Sequence, residues 1–161
     1  MGKTTALQRS VRRARQRGWR VGGVLSLAQP HGQPPHPSAL WLEDPATGQR
    51  RLLAHVAAPA EASVGMWRFL EATLAWGNAV LAAAADADLL VVDEIGPLEL
   101  NLAGGLAAAF PALQYGRYRI AVVAVRPALV ERLAIVLASR QPEILRLRPE
   151  NRDTIPLLLV P

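Results

Sequence analysis

The stretch Asp88-Leu-Leu-Val-Val-Asp-Glu-Ile-Gly-Pro-Leu-Glu-Leu100 decides the fold of this chain. Its apolar residues 89–92 lead directly into Asp93 and Glu94, a pattern typical of a buried parallel strand that ends at the carboxyl edge of a sheet. Phosphoryl-transfer sites occupy such edges, where one acid holds Mg²⁺ and the next handles the attacking water. We therefore predict that Asp93 binds Mg²⁺ and that Glu94 is the general base or a water-orienting acid. The alternative is a pair of solvated acids at a strand end.

The first residues of the chain supply a second motif. Gly2-Lys3-Thr4-Thr5 matches the last part of the phosphate-binding loop G-x-x-x-x-G-K-[ST], and a helical pattern follows at once. The N–H groups and dipole of that helix would face phosphates. We predict that all four residues bind a nucleotide, that Lys3 is also catalytic and that the Thr4 hydroxyl binds Mg²⁺. Lys3 is the one lysine among 18 lysine and arginine residues, which favours a role that arginine fills poorly.

The composition limits the classes of protein that remain. A length of 161 residues with 51% hydrophobic residues predicts a single folded domain, 1–161. The absence of cysteine excludes disulfides and thiolate metal sites, and the histidines His31, His36 and His55 do not suit a zinc cage. No apolar run reaches the ~18 residues that span a bilayer. We predict a cytoplasmic protein without membrane contact.

The apolar pattern alternates strands with amphipathic helices, which predicts an α/β fold with a mostly parallel sheet. Strands are expected at 21–27, 39–43, 50–55, 89–93, 120–125 and 144–147. Helices are expected at 3–18, 65–85, 102–113 and 127–139, with a short final helix or tail at 151–159. A proline-rich loop at 28–38 and the hairpin after it form an insertion at about 28–58.

The octapeptide Asp93-Glu-Ile-Gly-Pro-Leu-Glu-Leu100 closely resembles the D-E-I-G-P-M-E-L signature of the thermophile-type nucleoside-triphosphatases, a family that includes the cancer-related nucleoside-triphosphatases of animals. Three further segments follow the order of that family. Gly2-Lys-Thr-Thr5 matches its phosphate loop, Val64-Gly65 with Trp67 resembles its V-G-x-Y stretch, and Glu150-Asn-Arg-Asp153 matches its E-N-R-[DN] run. The resemblance implies a RecA-like P-loop domain, a three-layer sandwich, that slowly hydrolyses ATP, GTP and related nucleotides to diphosphate and phosphate.

The resemblance also implies site roles and reveals departures. Asn151 and Arg152 would lie near the nucleotide, although a helix cap and a surface cation are the alternative, and Glu99 would be an acid behind the site. The first strand of the family and the front of its phosphate loop should precede Gly2, so the chain resembles an N-terminally truncated member. Residues 24–42 lack the polar groups of the family, which implies a divergent member with altered substrate or weakened activity.

Other functions stay open at this point. A nucleotide kinase would need a mobile lid with clustered arginines, and no clear segment of this kind follows Asp93. A non-enzymatic nucleotide-binding module would keep the same motifs without turnover. Arg126 directly follows the strand at 120–125 and could sense the γ-phosphate or be a solvated charge. Nucleic-acid binding, or else a solvated helix surface, would explain a cluster of six arginines: Arg9, Arg12, Arg13, Arg15, Arg17 and Arg20.

Overall fold

The centre of the fold is one sheet, in a computed structural model that describes residues 2–29, 38–58, 60–62, 65–101 and 104–161. Its strands are β1 (Val21–Gln29), β2 (Ala39–Glu43), β3 (Arg50–Val56), β4 (Trp67–Phe69), β5 (Leu89–Ile95) and β6 (Ile120–Val125). Their order across the sheet is β4-β3-β2-β1-β5-β6. β1, β5 and β6 are parallel neighbours, whereas β2, β3 and β4 extend the sheet as antiparallel strands.

Helices cover both faces of the sheet and produce three layers. They are α1 (Lys3–Gln16), α2 (Glu71–Ala83), α3 (Pro97–Asn101), α4 (Ala109–Tyr115), α5 (Val130–Val136) and α6 (Ile155–Leu159). α1 and α6 pack on the face that carries Leu89 and Val91, and α2, α4 and α5 pack on the face that carries Leu90 and Val92. Successive strand residues point to opposite faces, so the uninterrupted apolar run of β5 fills both cores.

Most of the predicted elements form. The strands expected at 21–27, 39–43, 50–55, 89–93 and 120–125 are confirmed, and several are one or two residues longer. The first helix ends at Gln16, and Gly18 follows it with a φ of 71°, the left-handed conformation that commonly ends a helix. The segment expected to be helical at 127–139 contains α5 between two short 3₁₀ turns.

Two predicted helices start later than expected. The helix expected at 65–85 begins only at Glu71, because Trp67–Phe69 pair with β3 as a strand. The helix expected at 102–113 begins at Ala109. The backbone N–H of Leu106 donates instead to the side chain of Glu99, which holds Leu106 outside the helix.

The strand expected at 144–147 is wrong. This segment lies outside every helix and strand of the described residues, and Ile144 and Leu145 are 56% and 45% exposed. Apolar side chains suggested a strand, but a strand also needs a hydrogen-bonded neighbour, and no described strand pairs with this segment.

Parts of the predictions fall outside the described ranges. These are most of the loop at 28–38, with His31 and His36, together with Val64 and Leu102. Among the helices that the structure does describe, none has both the length and the apolar character needed to cross a membrane.

Candidate active site

The start of α1 meets the carboxyl edge of the parallel strands. Asp93 and Glu94 lie near the end of β5, and Val125 at the end of β6 is in register with Ile95. The side-chain nitrogen of Lys3 donates to the backbone oxygen of Val125 at 3.2 Å. The helix start therefore lies beside the two predicted acids.

Gly2 forms the turn from which α1 begins. Its φ is 105°, a left-handed conformation that favours glycine, and a Cβ at this position would lie 2.9 Å from Cδ of Arg152. The first helical hydrogen bond runs from Ala6 N–H to the Gly2 oxygen at 3.0 Å. The N–H groups of residues 3–5 come before it and have no acceptor within the helix. Together with the helix dipole, they can bind an anion such as phosphate.

Asp93 lies next to Thr4 at this edge. The Thr4 hydroxyl donates to Oδ2 of Asp93 at 2.7 Å, and the hydroxyl of Ser26 donates to the Asp93 backbone oxygen at 2.6 Å. Asp93 is only 2% exposed. Burial and, to a smaller extent, the nearby charge of Glu94 raise its pKa from 3.8 to about 6, against the lowering effect of the Thr4 hydrogen bond. Near neutral pH a bound cation would stabilise the ionised form of this buried carboxylate.

Glu94 has the opposite environment. Lys3 Nζ donates to its Oε2 at 2.7 Å, and Nε of Arg126 donates to its Oε1 at 2.9 Å. Burial alone would raise the pKa of Glu94, but the hydrogen bonds from Lys3 and Arg126, together with their charges, outweigh it and hold the pKa below its ordinary value. Glu94 is therefore ionised at neutral pH and can accept a proton or orient a water.

The donor set at this edge fits Mg²⁺. The Thr4 hydroxyl and the Asp93 carboxylate are hard oxygen donors already in contact with each other. The described residues contain no group of three or more histidine, cysteine, aspartate or glutamate side chains that could hold a metal alone. Mg²⁺ in phosphoryl-transfer sites needs few protein ligands, because it keeps several waters and takes the rest from phosphates. Thr4 and Asp93 would hold it.

Glu99 supports the loop that follows the two acids. Its carboxylate is nearly buried and accepts the backbone N–H of Gly96 at 2.9 Å and that of Leu106 at 3.0 Å. A Cβ on Gly105 would lie 2.2 Å from Oε1 of Glu99, and Gly105 has a φ of 61°. Glu99 thus joins Gly96, which follows β5, to Leu106, which precedes α4. This structural role is consistent with an acid behind the site.

The structure separates the residues predicted to contact a nucleotide. Arg152 lies against Gly2, and its Nε is buried without a hydrogen-bond partner among the described residues. Asn151 uses its amide locally, since Oδ1 accepts the N–H of Arg148 at 2.7 Å and Nδ2 donates to the Arg146 oxygen at 2.9 Å. Thr5 is exposed on α1. The structure thus brings Arg152 to the turn at Gly2, which we call the phosphate turn after its predicted ligand. Asn151 instead supports the turn before α6.

Two contacts of the site were not predicted from the sequence. Ser26 fixes the backbone of Asp93, and Arg126 pairs with Glu94 although the sequence suggested only a phosphate sensor or a solvated charge. A polar residue inside the mostly apolar strand β1 was the available signal for Ser26. No signal within the sequence paired Arg126 with an acid 32 positions earlier.

Three arginines of α1 have structural partners. Arg9 pairs with Asp153, Arg13 donates to the backbone oxygen of Val160, and Arg15 donates to that of Pro45. These contacts account for half of the cluster that suggested nucleic-acid binding, because the three guanidinium groups fasten α1 to neighbouring segments.

Comparisons with known proteins agree with this geometry. The nucleoside-triphosphatase THEP1 of Thermofilum pendens is 30% identical over 158 residues, which cover 97% of this chain and 86% of that protein. THEP1 of Caldivirga maquilingensis is 30% identical over 101 residues, which cover 63% of this chain and 56% of that protein. The crystal structure of THEP1 from the hyperthermophile Aquifex aeolicus matches 99% of this chain and 93% of its own, with a TM-score of 0.65 and 18% identity.

The structural match confirms the predicted fold class, an α/β P-loop NTPase fold. A sequence model of a family described as NTPase matches residues 1–159, nearly the whole chain. Because both the phosphate turn and the strand with the two acids lie inside that match, the resemblance seen in the sequence is confirmed, and this chain belongs to the NTPase family.

Proposed function

We propose that this chain binds a nucleoside triphosphate with Mg²⁺ at the start of α1 and hydrolyses the γ-phosphate to give diphosphate and inorganic phosphate. ATP and GTP are the proposed substrates, and the cytoplasm is the proposed location. The observation that carries the proposal is the contact of Lys3 and Thr4 with the adjacent acids Glu94 and Asp93. The name nucleoside-triphosphatase, carried by the Thermofilum pendens relative, supports the same reaction class.

The proposed binding step uses the helix start. The N–H groups of residues 3–5 bind phosphate oxygens, and Lys3 moves from Glu94 towards the β- and γ-phosphates, whose charge attracts it. Arg152 adds a second cation beside Gly2. Thr4 and Asp93 hold Mg²⁺, which when bound neutralises phosphate charge. Asn151 supports this arrangement through the turn that carries Arg152.

The proposed chemical step uses Glu94. Its carboxylate orients a water and accepts its proton as the water oxygen bonds to the γ-phosphorus, while the bond from that phosphorus to the bridging oxygen breaks. Lys3 stabilises the charge that develops on the transferred group. The electron pair of the broken bond leaves with the diphosphate.

The test is phosphate release from Mg-ATP and Mg-GTP by the wild type, Glu94→Gln and a matched control. Glu43→Gln is that control, because Glu43 also pairs with an arginine, Arg50, but on the β2–β3 hairpin. We expect Glu94→Gln to lose turnover by about a hundredfold or more, the usual scale for a general base, and to keep nucleotide binding. Equal turnover in Glu94→Gln and Glu43→Gln would contradict the catalytic role. Nucleotide binding without turnover in the wild type would favour a non-enzymatic module.

A further inference from the structure

Glu94 is held by two cations that reach it from different elements. Lys3, at the start of α1, donates a hydrogen bond to Oε2 at 2.7 Å. Arg126, directly after β6, donates one to Oε1 at 2.9 Å. Each carboxylate oxygen therefore has its own partner. In this arrangement a water would have to share either oxygen with a cation, since each oxygen already accepts one hydrogen bond and the side chain of Glu94 is only 28% exposed.

A bound phosphate would attract Lys3 away from Glu94 more readily than Arg126. Lys3 carries its ammonium on a flexible stem at the helix start, where the phosphate is proposed to bind. Arg126 directly follows Val125, which is in register with Ile95 on the strand that carries Glu94. This register fixes the backbone of Arg126 beside β5. A triphosphate at the start of α1 therefore competes with Oε2 for Lys3, while the bond from Arg126 to Oε1 can persist.

We propose that Arg126 is a positioning residue, which holds Oε1 of Glu94 while the substrate draws Lys3 away and frees Oε2 for the water. This inference rests on the proposed function and adds a regulation of the same site: without nucleotide a cation binds each oxygen of Glu94, and nucleotide binding removes the cation from Oε2. The bond from Nε of Arg126 to Glu94 favours this role over direct contact with the γ-phosphate.

The first test measures kcat and KM for Mg-ATP in Arg126→Gln and Arg126→Lys. The control is Arg117→Gln, because Arg117 also pairs with an acid, Asp86, on the opposite side of the fold. We expect kcat of Arg126→Gln to fall about tenfold or more with KM within about twofold, because a misplaced catalytic group slows the chemical step. Arg126→Lys should recover part of the loss because it keeps a cation near Glu94. An unchanged kcat in both variants overturns the inference, as does a selective loss of affinity for ATP over ADP.

A double-mutant cycle separates this inference from the proposed function. If Arg126 acts through Glu94, then Arg126→Gln should cause little further loss in the Glu94→Gln background, because the group that it positions is already absent. Independent, additive losses overturn the positioning role and leave the proposed function intact. Full turnover in Glu94→Gln alone overturns both the positioning role of Arg126 and the catalytic role of Glu94. Thermal unfolding of each variant shows whether it folds. If Arg126→Gln has a fold defect, the kcat of Arg126→Lys decides the question.

Discussion

Asp93 and Glu94 are neighbours in the sequence, yet their carboxylates have opposite electrostatic environments. Burial dominates at Asp93, whereas two cations dominate at Glu94. The partners explain the difference, because Thr4 offers Asp93 only a hydroxyl, whereas Glu94 accepts hydrogen bonds from the two cations Lys3 and Arg126. One acid is consequently suited to a cation that arrives with the substrate, and the other is ionised in advance. This division matches the two roles that hydrolysis of a phosphoanhydride requires.

The raised pKa of Asp93 predicts a pH dependence of stability. Its pKa is about 6 in the folded chain against 3.8 ordinarily, so the folded state binds the extra proton and loses stability as the pH rises through this window. Without Mg²⁺ or nucleotide, the free energy of unfolding should fall by about 1 kcal/mol more between about pH 5 and pH 7 in the wild type than in Asp93→Asn.

Chemical denaturation at several pH values measures this difference. Asp86→Asn is the control, because Asp86 is exposed and Arg117 lowers its pKa, so its titration lies below the window. It should keep the wild-type dependence on pH. The same slope in the wild type and in Asp93→Asn would show that Asp93 does not hold a proton near neutral pH.

At the scale of elements, one carboxylate on α3 joins the residue that follows β5 to a residue just before α4. Glu99 accepts two backbone N–H groups, those of Gly96 and Leu106. Glu99→Gln places an amide N–H₂ against one of these donors, which should destabilise the fold by about 1–3 kcal/mol. We also expect lower turnover, because Gly96 directly follows the strand that carries Glu94.

Urea unfolding and phosphate release would measure both effects. Glu131→Gln on α5 is a suitable control, because this substitution removes the same charge and Glu131 is exposed. Gly105→Ala should resemble Glu99→Gln, because the added Cβ would collide with Oε1 of Glu99. Wild-type stability in both Glu99→Gln and Gly105→Ala would contradict the proposed brace.

The same elements show which parts of the fold could be predicted. β5 was predictable because its residues fill two cores and are therefore apolar without interruption. β4 was not, because three residues form a strand only through their pairing with β3. The start of α4 was set by Glu99, a contact across seven residues that no helical pattern encodes. The acids and the phosphate turn were visible as motifs, whereas the partners of Glu94 depended on how β6 meets β5.

At the scale of the whole molecule, the two ends of the chain meet at the phosphate turn. Arg152 packs on Gly2, while Arg9 and Arg13 of α1 reach Asp153 and Val160 beside α6. Occupation of the turn should therefore stabilise contacts between distant parts of the sequence. A ligand at a hundred times its Kd stabilises a fold by about 2.7 kcal/mol. Thermal unfolding is therefore a sensitive measure of ligand binding at this turn.

We expect Arg152→Gln to bind Mg-ADP about tenfold more weakly, because the variant loses a cation beside the phosphates. At the same Mg-ADP concentration, the stabilisation of the folded chain should then be smaller by about 1.4 kcal/mol. Arg146→Gln is the matched control, since Arg146 is exposed in the same turn and only its backbone oxygen contacts Asn151. If both variants gained as much stability from Mg-ADP as the wild type, Arg152 would only pack the chain ends together, and phosphate binding would depend on α1 alone.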